Sequence, residues 1–417
     1  MGAFEYKKGE LYCENLSVRE IIEAVGTPCY LYSHKTLVDN YQAFDEAFTL
    51  VKHTVCYAVK TNANLSILRT LANLGAGADI VSAGELYRAL TAGFKPEKIV
   101  FAGVGKTEDE IYYALKNDIL MFNVESLPEL DLICAVARKV KKKARISFRV
   151  NPDINPKTHH HISTGLAQNK FGISINHAAE AYERASMDKS LEVIGVQVHI
   201  GSQITTVEPF VEAVQKVFIL LKTLKDLGIE LKYIDLGGGL GITYNDEKPP
   251  TPQDLAKAIM PLIRKTHYQY IFEPGRYIAG TAGILVTKVL YLKETQAKKF
   301  VIVDAGMNDL SRPVLYDAYH EIKPVKGSGK NEMLVDVVGP ICESGDYFAK
   351  KRSLPLVEQG DLLAIFNAGA YGFSMASNYN ARPRACEVVV SKNQYYMIRD
   401  RETFGDMVSN ERLLDIK

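Results

Sequence analysis

A lysine, a run of glycines and a carboxylate each follow an apolar segment of the 417-residue chain. Lys60 ends YAVK, where partial burial would lower the pKa of its amine and favour a nucleophile able to form a Schiff base. Gly237, Gly238 and Gly239 could offer bare backbone N–H groups to a phosphate. Glu273, in EPGR, could keep a pyridine nitrogen protonated. Taken singly, these features could equally be a snorkelling lysine, a tight turn and a Glu–Arg ion pair.

Eight short apolar segments rich in β-branched residues alternate with helical patterns in the first two thirds of the chain. Strands are expected at 54–59, 78–81, 98–101, 119–123, 145–150, 193–199, 232–236 and 269–272. A helix at 34–49 precedes the first strand, and Ser126 with Glu129 predicts a capping box at the start of a later helix. This alternation favours a (β/α)8 barrel, with a doubly wound sheet as the alternative.

A barrel of this kind builds its active site at the C-terminal ends of its strands. The polar residues at those ends are, in chain order, Lys60, Asp79, Arg149, His199, Gly237–Gly239 and Glu273. His199 could stack on a flat ring, although a buried structural histidine would look the same. A lysine, a phosphate site after the seventh strand and a carboxylate for a ring nitrogen together predict pyridoxal 5′-phosphate as cofactor.

Helical periodicity fades after residue 275, and strand patterns replace it. They lie at 283–293, 299–304, 333–338, 361–366, 385–390 and 394–398. The sequence therefore predicts a barrel over 30–275 and a β-rich domain made of 1–29 and 276–417. The Gly/Lys-rich stretch 322–331 is expected to be a loop.

The composition of the chain and the incomplete form of several motifs argue against other classes of function. Lys plus Arg is 50 against 49 for Asp plus Glu, which disfavours a nucleic-acid binder, and no apolar stretch is long enough for a membrane span. We expect a cytoplasmic protein without metal, because the six cysteines form no C-x-x-C pair and His159–His161 have no neighbouring ligands. AGVGKT at 102–107 lacks the first glycine of a P-loop and is interpreted as a strand-to-helix loop.

Several motifs, in chain order, resemble those of the pyridoxal-phosphate-dependent decarboxylases with the alanine racemase fold. They are YAVKTN, SAGEL, FRVNP, KFG, HIGSQ, DLGGGLGI and EPGR. In the last third, SRPVLYDAYH, GPICESGD and NAGAYGFSMASNYNARPR resemble the diaminopimelate decarboxylases of that family.

This resemblance implies a role for each matching residue. Contacts to the cofactor are implied for Lys60, as the covalent link, and for His199, Ser202, Gly237, Gly238, Gly239, Glu273, Pro274, Gly275, Arg276 and Tyr371. Contacts to the substrate are implied for Arg276, Arg312, Tyr316, Glu343 and Tyr371. Cys342 would protonate the substrate carbon after CO2 is lost, and Cys342 and Glu343 would come from the partner subunit of a homodimer.

The resemblance also implies the reaction, in which meso-2,6-diaminopimelate gives L-lysine and CO2 at the end of lysine biosynthesis. Glu273 favours decarboxylation, whereas racemases of this fold set an arginine against the ring nitrogen and weaken the electron sink. Arg312 would grip a distal carboxylate and repel the terminal amine of ornithine or lysine. The alternatives are a relative acting on another basic amino acid or carboxynorspermidine, and a non-catalytic pyridoxal-phosphate-binding regulator.

Overall fold

The computed structural model describes residues 4–154, 170–327 and 331–416. His159–His161 and part of the expected loop at 322–331 lie outside those ranges. The chain forms two compact units, one made of the residues up to Leu37 and from Ala279 onward, the other of Val38–Ile278. No helix in the described ranges is both long and apolar enough to cross a membrane.

Short elements precede the barrel. They are β1 (Phe4–Lys7), β2 (Glu10–Cys13), β3 (Leu16–Ser17), α1 (Val18–Val25), β4 (Cys29–Ser33) and α2 (His34–Ala47). The first three strands form a small antiparallel sheet. Ser17 starts α1 because its Oγ accepts the Glu20 N–H at 3.4 Å.

The second unit is a closed parallel barrel. Its strands are β5 (His53–Ala58), β6 (Gly77–Ile80), β7 (Ile99–Phe101), β8 (Met121–Val124), β9 (Ala144–Asn151), β11 (Leu191–Gln197), β12 (Tyr233–Asp235) and β13 (Gln269–Phe272), while β10 (Ile173–Ser174) pairs only with β9. Pairing of β13 with β5 and of β8 with β9 completes the ring. The eight strands and the barrel fold predicted from the sequence are confirmed.

Helices cover the barrel strands. They are α3 (Leu65–Asn73), α4 (Ala83–Ala92), α5 (Glu108–Lys116), α6 (Leu127–Val140), α7 (Ala178–Ser186), α8 (Glu208–Asp226) and α9 (Pro252–Ile263), with α10 (Arg276–Ala279) after the last strand. Phe44 of α2 and Phe48, which follows the helix, lie with their rings 5.8 and 4.0 Å from that of Phe272, so α2 packs beside the last strand. At α6 the capping box forms only in part, because Ser126 Oγ accepts the Glu129 N–H while the Glu129 carboxylate accepts the Glu125 N–H.

The interior of the barrel is filled by side chains. One buried cluster joins residues from six barrel strands and one loop: Cys56, Val100, Leu120, Met121, Ile194, Tyr233 and Ile271. The barrel therefore has a solid core beneath the strand ends, and those ends are held rigidly by it.

The β-rich unit continues after the barrel. Its elements are β14 (Gly283–Glu294), β15 (Lys299–Val303), α11 (Arg312–Tyr316), β16 (Ile322–Pro324), β17 (Glu332–Val338), β18 (Tyr347–Pro355), β19 (Leu362–Ile365), β20 (Cys386–Ser391), β21 (Gln394–Arg399) and α12 (Phe404–Val408). The sheet order is β18-β17-β15-β14-β4-β20-β21, and β19 pairs with both β14 and β16.

Three details of the organisation differ from those expected. Residues 30–37, assigned to the barrel from the sequence, belong to the β-rich unit because β4 is hydrogen-bonded between β14 and β20. Ile322–Pro324 is a strand rather than a loop, since it pairs antiparallel with β19. The β-rich unit also takes its start at Ala279, three residues later than expected.

Candidate active site

Lys60 meets a buried carboxylate at the mouth of the barrel. It follows β5 in the turn Val59–Thr61, and its amine forms an ion pair with Asp79 at the end of β6. The parallel register sets Asp79 opposite Ala58, two residues before the lysine. The lysine side chain is 37% exposed whereas Asp79 is fully buried, so the amine stands where a ligand from solvent can reach it. Within the described part of the chain, Asp79 Oδ1 has no hydrogen-bond partner.

A buried pair of carboxyl groups lies at the ends of β12 and β13. Asn123 Nδ2 donates to Asp235 Oδ2 at 3.3 Å and to Glu273 Oε1 at 3.4 Å. Gln197 Nε2 donates to Glu273 Oε2 at 3.2 Å, and Ser147 Oγ fixes the amide by donating to Asn123 Oδ1 at 2.5 Å. The Glu273 carboxylate is thus held by two amides, whereas Arg276 contacts Ser202 and Tyr244, which argues against the structural Glu–Arg ion pair considered from the sequence.

Burial makes this pair hold a proton. It raises the pKa of Asp235 to about 7, and burial next to Asp235 raises the pKa of Glu273 well above its ordinary value. Two carboxylates in a dry site cannot both be charged without a large cost, so one proton stays on the pair near neutral pH. A positive charge placed against Glu273 would favour loss of this proton and would be balanced by the resulting carboxylate.

His199 is held as a neutral imidazole. The Gly238 N–H donates to its Nδ1 at 3.1 Å, so that nitrogen acts as an acceptor. Burial, followed by the positive charges of Arg149 and Lys60, lowers the pKa of His199 well below its ordinary value. The ring is therefore a flat, uncharged surface at the barrel mouth, suited to stacking.

The glycine run does not leave all of its amides bare, contrary to the expectation from the sequence. The Gly237 N–H donates to Asp235 Oδ1 at 2.9 Å, and the Gly238 N–H is taken by the histidine. The Gly239 N–H has no acceptor among the described residues. Gly239 has φ +118°, and a Cβ there would come within 2.6 Å of the Gly201 carbonyl oxygen. The backbone thus approaches so closely here that only glycine fits.

Arg276 ties the last strand to the loop after β11. Its Nε and Nη2 donate to Ser202 Oγ at 3.2 and 3.1 Å, and its Nη1 donates to the Tyr244 hydroxyl at 2.7 Å. Arg276 is buried, so its charge lies beside Ser202, the hydroxyl expected to bind phosphate. Arg276 therefore lies at the part of the site where the cofactor phosphate is expected to bind.

A second lysine after a barrel strand has a purely structural environment. Lys106 Nζ is 1% exposed and donates to Glu129 at 2.7 Å, to the Gly103 carbonyl at 2.8 Å and to the Asn123 carbonyl at 2.9 Å. Those three bonds satisfy all of its donors. The segment 102–107 joins β7 to α5, which confirms its interpretation as a strand-to-helix loop.

Arg149, another polar residue at a strand end, is held by a carboxylate. Its Nη1 lies 3.1 and 3.2 Å from the two oxygens of Glu125. The Gly103 and Gly172 N–H groups donate to the same carboxylate at 2.7 and 3.1 Å. This buried pair fixes the loops at the barrel mouth and places a positive charge near His199.

The β-rich unit carries the residues expected to bind substrate. Arg312 and Tyr316 lie four residues apart on α11, and hence on one face of it. Arg312 is 6% exposed, and its Nη1 lies 2.8 Å from His320 Nε2. Tyr371 has a left-handed backbone with φ 57°, a conformation that bulky residues adopt mainly at functional sites.

Cys342 stands on an exposed loop that a buried aspartate shapes. Asp346 Oδ2 accepts the Ile341 N–H and its Oδ1 accepts the Met307 N–H, both at 2.7 Å. The Cys342 N–H donates to Asn380 Oδ1 at 2.6 Å. Glu343 is exposed next to it, and Tyr379 lies 3.5 Å from its carboxylate. The loop thus offers a thiol and a carboxylate side by side to solvent.

The comparisons with known proteins agree with this geometry. Residues 34–280 match the family model described as pyridoxal-dependent decarboxylase, pyridoxal binding domain. A diaminopimelate decarboxylase of Aquifex aeolicus is 50% identical over 413 residues, which cover 99% of this chain and 97% of that protein. The chain belongs to the diaminopimelate decarboxylase family.

Two solved structures extend the likeness to the whole fold. Diaminopimelate decarboxylase from M. jannaschii, in co-complex with L-lysine, has a TM-score of 0.94 and 43% identity and covers 99% of each chain. The Helicobacter pylori enzyme complexed with L-lysine has a TM-score of 0.91 and 46% identity over 94% of this chain and 98% of that chain.

The barrel residues fit pyridoxal 5′-phosphate, the cofactor of the family. Asp79 Oδ1 is a buried acceptor without a partner in the described ranges, next to the amine of Lys60. Gly239 keeps a space at the backbone that any side chain would fill. Glu273 is buried with its carboxyl group next to Asp235. An amine, an anion cradle and a carboxylate for a ring nitrogen therefore converge at one barrel mouth.

Some site residues escaped the sequence analysis. Asp235 and Gln197 end β12 and β11, so the strand-end rule that selected Glu273 could have found them too. Asn123 lies inside β8, but it is the last residue of the strand expected at 119–123, so the same rule could have found it. Tyr244 becomes visible only through its contact with Arg276, whereas His320 ends the SRPVLYDAYH motif and is singled out by its contact with Arg312.

Proposed function

We propose that this protein is a pyridoxal-phosphate-dependent carboxy-lyase that converts meso-2,6-diaminopimelate to L-lysine and CO2. One observation carries the proposal. The barrel mouth brings the amine of Lys60 within the electrostatic reach of both Asp79 and Glu273, so a nucleophilic amine faces a buried, proton-holding carboxyl pair. The identity to diaminopimelate decarboxylases over nearly the full chain supports the choice of substrate.

The barrel residues would hold the cofactor in the manner that their contacts suggest. Lys60 would form the covalent link and His199 would lie against the ring. Ser202, Gly239 and Arg276 would take the phosphate, with Gly237 and Gly238 supporting the turn through their bonds to Asp235 and His199. Pro274 and Gly275 set the backbone between Glu273 and Arg276, and a Cβ at Gly275 would overlap Thr61.

Bound pyridoxal 5′-phosphate supplies an electron sink for the pair left on the α-carbon when CO2 departs. Glu273 would keep a proton at the ring nitrogen, which would strengthen that sink. Asp235, Asn123 and Gln197 hold the Glu273 carboxyl in place and exclude water from it. Asp79 holds the amine of Lys60 in position before substrate arrives.

Recognition of the distal end of the substrate would fall to Arg312, Tyr316, Glu343 and Tyr371, with a contribution from Arg276. A buried arginine grips a carboxylate through two parallel hydrogen bonds. When ornithine or lysine binds as a substrate, its only carboxylate lies at the reacting carbon, and the same charge repels its terminal ammonium. Glu343 would accept a hydrogen bond from the distal amine of diaminopimelate.

Cys342 Sγ would return a proton to the α-carbon after CO2 leaves. We propose that this thiol and Glu343 act in the site of a partner subunit, so that the active form is a homodimer. The exposed position of the Cys342 loop supports this arrangement, because a second copy could reach it. We also propose a cytoplasmic location, because the product lysine is used there for biosynthesis. Cell fractionation tests this location.

The first experiment is to measure CO2 and lysine release by purified protein with pyridoxal 5′-phosphate. meso-Diaminopimelate is compared with ornithine, lysine and arginine at equal concentration. Release from diaminopimelate alone is expected. Release from one of the other three would keep the fold and cofactor but overturn the substrate, and the absence of release from all four would favour a non-catalytic pyridoxal-phosphate-binding protein.

A further inference from the structure

Arg312 is fixed by a buried histidine from its own motif. In SRPVLYDAYH the arginine opens α11 and the histidine ends the segment eight residues later. Arg312 Nη1 lies 2.8 Å from His320 Nε2, and His320 Nδ1 lies 2.7 Å from the Phe366 carbonyl oxygen. His320 is fully buried and the arginine is 6% exposed. Both ring nitrogens of the histidine are therefore engaged in a dry environment.

These two contacts determine the protonation state of the ring. A guanidinium can only donate, so His320 Nε2 must accept and carries no hydrogen. A carbonyl oxygen can only accept, so Nδ1 must donate and carries the hydrogen. His320 is thus the neutral imidazole with its proton on Nδ1.

The backbone around His320 holds the ring in place. The Phe366 N–H donates to the Glu321 carbonyl at 2.8 Å, so residues 320–321 and 366 exchange two hydrogen bonds. Arg352 Nη1 donates to the His320 carbonyl at 2.8 Å and stacks 4.0 Å from the Tyr319 ring. The imidazole acceptor consequently has a fixed position relative to β18 and the end of β19.

We infer that His320 is a positioning residue for recognition of the substrate's distal carboxylate. It orients the Arg312 guanidinium with a neutral acceptor. A carboxylate could orient the arginine equally well, but it would also cancel the positive charge that the substrate carboxylate has to meet. A neutral imidazole orients the Arg312 guanidinium and leaves the positive charge of the arginine available to the substrate. This inference rests on the proposed role of Arg312.

The test compares two ligands that differ only by the carboxylate in question. L-Lysine keeps the distal carboxylate of diaminopimelate, whereas 1,5-diaminopentane lacks it. Inhibition constants for both, together with kcat and KM for diaminopimelate, are measured on the pyridoxal-phosphate-loaded wild type and on His320→Leu, His320→Gln and His320→Glu. Calorimetric binding of L-lysine provides a readout independent of turnover.

The three variants separate the acceptor from the charge. Leu removes the hydrogen-bond acceptor that faces Arg312. Gln and Glu have the same shape and both offer an oxygen as acceptor, but only Glu carries a charge. His320→Leu should weaken L-lysine binding and raise KM for diaminopimelate about tenfold, since a bond to a charged group is lost, with a smaller change in kcat. His320→Gln should restore most of the affinity, and His320→Glu should not. Binding of 1,5-diaminopentane should weaken in none of the variants, which also shows that the variants are folded.

Other outcomes would overturn the inference. Equal weakening of both ligands would mean that His320 only supports the fold, and unchanged binding of L-lysine in His320→Leu would mean that Arg312 needs no such partner. Equal behaviour of His320→Gln and His320→Glu would refute the argument from charge. Wild-type inactivity on diaminopimelate would instead refute the proposed function, and the comparison of L-lysine with 1,5-diaminopentane would still decide the role of His320.

Discussion

The proton shared by Asp235 and Glu273 should make the cofactor-free protein less stable as the pH rises. Burial raises the pKa of Asp235 from 3.8 to about 7. Between these values the folded protein holds a proton that the unfolded chain has lost, so the free energy of unfolding falls with increasing pH. At 1.36 kcal/mol per pKa unit, the difference corresponds to about 4 kcal/mol, lost progressively from about pH 4 to pH 7.

Asp235→Asn removes this titration while keeping the shape of the side chain. The amide oxygen of Asn can still accept the Gly237 N–H, which donates to Asp235 Oδ1 at 2.9 Å in the wild type. We therefore expect the variant to gain stability over the wild type as the pH rises. The gain should be near zero at pH 4 and up to about 4 kcal/mol at pH 8. Urea unfolding of the cofactor-free protein, followed by circular dichroism at four pH values, measures it.

A control of opposite sign comes from the β-rich unit. Burial acts to raise the pKa of Glu402, but hydrogen bonds from Arg384 and Asn378 outweigh it and lower the pKa to about 2. Glu402→Gln should therefore lose stability relative to the wild type above pH 4 and lose none near pH 2. If Asp235→Asn gave the same difference in stability at pH 4 and pH 8, the shared proton would be refuted.

Three further substitutions test the proposed roles. Lys60→Ala should abolish the visible absorbance of the lysine-linked cofactor, and a retained band in its spectrum would remove Lys60 from that role. Arg312→Ala should raise KM for diaminopimelate at least tenfold by removing a bidentate contact, and an unchanged KM would exclude it from the distal carboxylate site. Cys342→Ala should lower kcat while binding of the cofactor, measured by absorbance, survives. Mixing Lys60→Ala with Cys342→Ala subunits should restore about a quarter of wild-type activity if sites are shared in a dimer, and none if each chain acts alone.

The barrel could be predicted because its signals are local. Each of its strands is a short apolar run followed by a helical period, and the structure confirms all eight. β18 was missed because Lys350, Lys351 and Arg352 interrupt its apolar pattern. That strand lies at the edge of its sheet, where charged side chains protect against pairing with another molecule, so its composition reflects position rather than propensity.

Candidate site residues were predictable only when a strand end or a motif marked them. Lys60 and Glu273 each follow a strand, and the structure brings them to one mouth. The effect of Asn123 depends on two carboxyl groups more than a hundred positions away in the sequence, at Asp235 and Glu273. No pattern within a window of a few residues encodes such a contact, because the closure of the barrel creates it.

The two lysines that follow β5 and β7 show what the sequence leaves open and the structure decides. Lys60 and Lys106 each precede a threonine and each occupy a strand-to-helix loop. Lys106 is 1% exposed, and its ammonium is surrounded by three acceptors, so releasing its proton or moving its amine would break a complete set of bonds. Lys60 is 37% exposed and is paired with Asp79, which keeps an oxygen without a partner in the described chain. The reactivity proposed for Lys60 therefore rests on the carboxylate beside its amine, which has an unused oxygen, and the position of a lysine along a strand does not determine that property.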